Sequence, residues 1–109
     1  MNNLELWEQA EKFVQDFFGL KATSGSGRGH DKGDAKDKNF QVEVKQTSKP
    51  SFSVNFAKLK GYRLNAIKDR KLFFLCIIPS EGDKLIKEDS WTVLPLATFK
   101  SLLENQKDE

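Results

Sequence analysis

Hydrophobic positions recur at two different spacings along this chain. Between about Asn3 and Phe18, Leu4, Trp7, Ala10, Phe13, Val14, Phe17 and Phe18 lie three or four residues apart, one stripe of an amphipathic helix. Gly19 supplies its stop signal. From Phe40 the spacing changes to two, so that Phe40, Val42, Val44 and Gln46 share one face of a strand and Gln41, Glu43, Lys45 and Thr47 the other. Ahead of it, Gly33 to Lys38 reads as a short strand that turns through Asp37, Lys38 and Asn39, which predicts a hairpin. A polar link, Ser48 to Ser53, precedes a second helix with Asn55 or Ser53 as N-cap and Phe56, Leu59, Leu64, Ala66 and Ile67 on its apolar face.

The run from Lys71 to Ile78 is apolar on both faces, the pattern of a central strand that is parallel or covered by helices. Pro79 to Asp89 reads as a charged loop, and Trp91 to Leu96 as a strand ended by Pro95 or held at an edge by it. Leu96, Phe99, Leu102 and Leu103 predict a last helix, with a frayed tail from Glu104. The order is helix, strand, strand, helix, strand, strand, helix. It predicts an α/β fold with a mixed sheet of about four to five strands flanked by helices.

Length confines this pattern to one domain over residues 1–109, too short for two cores. The 18 basic and 16 acidic residues leave a net charge of only +2, so attraction to a polyanion has to come from where charges sit. On the second helix Lys58, Lys60, Arg63, Lys68 and Arg70 are offset by Asp69 alone, which favours a polyanion over a merely solvated face. The lone cysteine, Cys76, lies inside the apolar run. That excludes an internal disulfide and a cysteine zinc site, and marks Cys76 as a packed small hydrophobe. No apolar segment approaches the roughly 20 residues of a spanning helix. A soluble, cytoplasmic protein with no membrane partner is expected.

Candidate chemistry concentrates between Thr23 and Thr47. Glu43 and Lys45, two apart on a strand, stand about 7 Å from each other, within reach of one ion and one phosphate. Asp34, on the neighbouring strand, can face the same side. Two carboxylates and an ammonium converging there repel and raise one acid's pKa unless a divalent cation joins them. Asp34, Glu43 and the Val44 carbonyl are hard oxygen donors of the kind Mg²⁺ or Mn²⁺ takes. Glu11 falls at the edge of the first helix's apolar arc, from which it reaches inward; a solvated carboxylate is the competing reading, and Glu8 the substitute.

The loop Ser24-Gly25-Ser26-Gly27-Arg28 has donors and backbone freedom for phosphate contact, although its composition equally describes a mobile connector. It has no GxxxxGK[ST] and leads toward a strand, so neither nucleotide-loop type fits. Ser24, Ser26, Arg28, Lys32, Lys36 and Lys58 are the candidate contacts to a nucleic-acid backbone. Gln46, on the face away from Glu43, has a supporting role at most. His30 reads as an incidental loop residue, and Trp7 and Trp91 as packing residues.

Gly33-Asp34 followed by Glu43-Val44-Lys45, with Ala10-Glu11-Lys12 on a preceding helix, the glycine-serine loop, and Ser51-Phe52-Ser53-Val54 before the next helix, resembles the PD-(D/E)XK nuclease superfamily. Within it the pattern is similar to small Holliday junction resolvase-like endonucleases of phages and archaea. The likeness covers most of Leu4 to Ile78. It implies a restriction-endonuclease-like core, with Glu11, Asp34, Glu43 and Lys45 as the catalytic set and Glu11 a further metal ligand or a holder of metal-bound water. Gly33 stands where the superfamily's name has proline.

The implied activity is Mg²⁺- or Mn²⁺-dependent endonucleolytic hydrolysis of DNA, branched DNA such as a Holliday junction above all. The setting would be the cytoplasm, the host's for a phage-encoded chain. Lys45 would orient or deprotonate the attacking water, or stabilise charge on the phosphate. One chain supplies one site and symmetric incision needs two, so a homodimer is expected, joined through the second helix or the last strand and helix. Two other nucleic-acid readings stand beside it, a non-catalytic binding module on the same fold and a nuclease for linear ends. A protein-binding role through exposed Phe and Trp is the third.

Overall fold

The computed structural model describes residues 4–22, 35–36 and 39–107. Helix α1, Leu6–Phe18, opens with the Glu5 N–H donating to Glu8 Oε1 at 3.1 Å. It closes on Gly19, whose left-handed φ of 67° lets the following Leu20 N–H turn back to the Gln15 carbonyl at 2.8 Å. This is the stop expected there, and glycine adopts it without the Cβ penalty other residues carry. Helix α2, Phe56–Lys68, is capped by Asn55, whose Oδ1 accepts the Lys58 N–H at 3.0 Å. Helix α3, Leu96–Lys107, runs past Glu104, so the tail expected to fray there is helical.

Among the described residues six strands form one mixed sheet: β1 Lys21–Ala22, β2 Ala35–Lys36, β3 Phe40–Thr47, β4 Leu72–Glu81, β5 Lys84–Leu85 and β6 Trp91–Val93. Strands β2 and β3 pair antiparallel, with Ala35 opposite Val42, as the hairpin pattern predicts. Strands β3 and β4 pair parallel from Phe40–Leu72 to Thr47–Pro79 and are joined through α2. The α/β class and the mixed, helix-flanked sheet match the expectation. The four strands expected from the pattern are present, and β1 and β5 add two-residue pairings too short to leave a periodic signature. Part of the expected charged loop is strand as well. Strand β4 continues through Pro79 to Glu81, and a 3-10 turn, Lys87–Asp89, follows β5.

A helix covers each face of the sheet. Ala10 and Val14 of α1 pack with Val42, Val44, Phe74, Cys76 and Ile78 on one side, all buried. Edge-to-face contacts extend that core, Phe18 to Phe74 at 5.2 Å and Phe40 to Phe74 at 5.7 Å between ring centres. On the other side Ala66 of α2 packs with Phe73 and Leu75, flanked by Leu59, Tyr62, Ile77 and Val93. The buried stripe of α2 is therefore Leu59, Tyr62 and Ala66. Phe56 is 86% exposed, and Leu64 and Ile67 also face outward, which corrects the apolar face read from the sequence. Leu96, Phe99, Leu102 and Leu103 of α3 are exposed too. Among the described residues no helix is long and apolar enough to cross a membrane.

Candidate functional site

Alternation along β3 decides where each of its side chains works. Val42 and Val44 enter the α1 core, and Gln41, Glu43 and Lys45 turn to the α2 side beside Phe73, Leu75 and Ile77, their register partners on β4. Glu43 is 9% exposed, and its Oε1 lies 3.3 Å from Lys45 Nζ. Lys45 is the more open of the two, and its ammonium also stands 6.0 Å from the centre of the Tyr62 ring. So the two residues expected to share a face do share one. A nearly buried carboxylate fixes an ammonium whose outer side meets a groove.

That groove, about 270 Å³, runs from Lys45 past Phe52 and Tyr62 to Asn55 and Lys58. Lys58, on the first turn of α2, thereby shares a cavity wall with Lys45. Val44 lies between the pair with its side chain in the opposite core, so only its carbonyl is placed to contribute. Gln46 faces away from Glu43 and donates to Ser80 Oγ at 2.7 Å, in keeping with a supporting role. Glu11 is half-buried on α1, the helix over the other face, and so rides on a different layer from Glu43 and Lys45. Asp34, Ser24, Ser26, Arg28, His30 and Lys32 lie outside the described residues, as does the side chain of Lys36. The described part of β2 ends at Ala35, opposite Val42 and one residue short of Asp34.

Gln41 was not foreseen. It is 2% exposed on the Glu43 face, and its Oε1 has no hydrogen-bond partner among the described residues. Buried acceptors are ordinarily paired. An unpartnered amide oxygen two residues from a buried carboxylate extends a set of hard donors, the type that Mg²⁺ and its water shell take. The described residues bring one carboxylate and one unpartnered amide oxygen to this face, and among them no three His, Cys, Asp or Glu side chains gather. Equal strand parity with Glu43 was the signal that could have found Gln41. Trp91 corrects the sequence reading: it is 66% exposed. Trp7 on α1 is exposed as well. Comparison with family models, curated proteins and solved structures finds no match to this chain.

Proposed function

We propose that this protein is a metal-dependent DNA endonuclease that hydrolyses phosphodiester bonds, with branched DNA as its substrate. The observation that carries this reading is the Glu43–Lys45 pair, 3.3 Å apart on one strand face at the mouth of a groove that Lys58 also lines. Glu43, Asp34 and the Val44 carbonyl would hold Mg²⁺ or Mn²⁺; Glu11, on the helix over the other face, would have to reach around the sheet to serve as a further ligand. When bound, the ion supplies Lewis acidity toward the phosphate and a lower pKa for water. Lys45 holds its ammonium where charge grows on the attacked phosphate and can orient the attacking water. Glu43 keeps Lys45 in place, and the α2 cations draw the strand's backbone toward the groove.

In this reading the protein works as a homodimer. The exposed apolar residues of α3 support that arrangement: Leu96, Phe99 and Leu102 recur at helical spacing and each stays at least two-fifths exposed among the described residues.

Purified protein offered a synthetic four-way junction and the matched linear duplex, with Mg²⁺ or Mn²⁺ and with EDTA, tests the proposal. Metal-dependent, paired, symmetric incision of the junction is the expected result. Incision confined to linear ends selects an end-directed nuclease. Absence of cleavage on branched, duplex and single-stranded DNA across a range of salt overturns the enzyme reading, and salt-dependent binding alone selects the non-catalytic module.

A further inference from the structure

A second groove adjoins the first. It measures about 260 Å³ and runs from Lys49 to Trp91, with Asp89 on its lining, and Phe52 is a wall of both cavities. The sheet explains the juxtaposition. Lys45 pairs in register with Ile77, and Ile77 with Trp91, so the three form one row across β3, β4 and β6. At roughly 4.8 Å per strand, Trp91 stands about 10 Å from Lys45. Phe52, on the link from Thr47 to Asn55, borders both grooves.

Three aromatic side chains, Tyr62, Phe52 and Trp91, therefore line the two adjoining grooves together with three lysines, Lys58, Lys45 and Lys49. Each cavity approaches the lower end of the roughly 300–1,000 Å³ common for small-ligand sites. An apolar occupant would leave the lysines unused, and a simple anion would leave the rings uncovered. A nucleotide has a ring to stack and a phosphate to pair. The row's length matches about three stacked steps of one strand at roughly 3.4 Å each. Double helix cannot offer its bases to such a surface, because they are already stacked and paired.

We propose that this face binds an unpaired stretch of a nucleic-acid strand, its bases stacked on Phe52 and Trp91 and its phosphates set against Lys45, Lys49 and Lys58. The proposal deepens the nuclease reading by naming the strand state the site accepts, and its test is independent of cleavage. Asp89 lies on the lining beside Trp91 and keeps phosphate to the lysine side.

The test is equilibrium binding of a short labelled oligothymidylate and of a matched duplex, in EDTA so that nothing is cut. Trp91→Ala and Phe52→Ala should each weaken oligothymidylate binding roughly 5- to 150-fold, the equivalent of about 1–3 kcal/mol per stacked base. Duplex binding should change little, and Trp91→Phe should restore most of the loss. In Trp7→Phe protein, where Trp91 is the remaining tryptophan, oligothymidylate should quench the indole fluorescence to saturation. Unchanged fluorescence, or alanine variants that bind the single strand as wild type does, overturns the proposal. So does a Trp91→Ala protein that sediments as a smaller species than wild type, which would make the row a protein interface. Stacking without any metal-dependent cleavage would keep this proposal and remove the nuclease reading; cleavage with no effect of either alanine does the reverse.

Discussion

At the residue scale, Glu43 has two partners of different kinds, the core that buries it and the ammonium that compensates it. Lys45 is about two-fifths open to water, so the pair contributes little to stability, under ~1 kcal/mol by the usual behaviour of such pairs. Its value is positional. Glu43→Gln and Lys45→Ala should each lower metal-dependent cleavage at least ~100-fold, the scale of losing a group that meets transition-state charge; Glu43→Gln should leave DNA affinity nearly unchanged, and Lys45→Ala should weaken it only by the loss of one phosphate contact. Equal loss of binding and cleavage would instead make the pair part of a binding surface.

At Cys76 burial outweighs hydrogen bonding. Its thiol pKa is pushed up by desolvation, and the Thr92 hydroxyl, 3.7 Å away, offsets this only partly. A group protonated more tightly in the folded state adds stability below its unfolded pKa, near 8.5, and loses it as pH rises through the folded value. Labelling by a thiol reagent at pH 8 should therefore follow unfolding, with a rate that falls to near zero in the absence of denaturant and rises across the denaturation curve.

At the element scale, the ends of the helices are set locally. Asn55 accepts the Lys58 N–H, and Asn55→Ala should cost about 1 kcal/mol in chemical denaturation. The same substitution bears on function, since Asn55 and Lys58 both line the groove beside Lys45 and a frayed first turn would release the cation. Fraying should show as weaker DNA binding with a shallower salt dependence. Both termini were legible in the sequence, Gly19 as a stop and Asn55 or Ser53 as a cap, of which the structure takes Asn55, because capping depends on residues within one turn. The buried face of α2 was not. Phe56, Leu64 and Ile67 are as apolar as Leu59 and Tyr62, and which of them meets Phe73 depends on the angle at which the helix lies on the sheet.

At the scale of the whole molecule, α1 and α2 cover opposite faces of the sheet and α3 leaves its apolar residues partly exposed. The homodimer reading gives them a partner. In an antiparallel pair of α3 helices Phe99 would meet its own copy, and Leu96 would meet Leu102 of the second chain, a self-complementary seam. Phe99→Ser with Leu102→Ser should leave the far-ultraviolet circular dichroism intact and shift sedimentation equilibrium to monomer. A wild-type protein that sediments as monomer at every concentration removes the dimer. In the core, Ile78→Ala, at a fully buried position against α1, should cost about 2–5 kcal/mol, read as a lower denaturation midpoint.

Much of the fold was legible before any coordinates because its causes are local. Periods of two and of three to four, a glycine stop and an asparagine cap each arise from residues within a turn or a strand. For the same reason, the shared face of Glu43 and Lys45 followed from strand geometry alone. What only the tertiary structure decided depends on pairing between distant segments. The register Lys45–Ile77–Trp91 brings together residues up to 46 apart in the chain. It turned Trp91 from an expected packing residue into an exposed one beside the grooves, both of which Phe52 borders. Burial of Gln41, and the assignment of Glu11 and Glu43 to different layers, likewise follow from which helix lies over which face. No local period contains that information, because it is a property of the packed sheet.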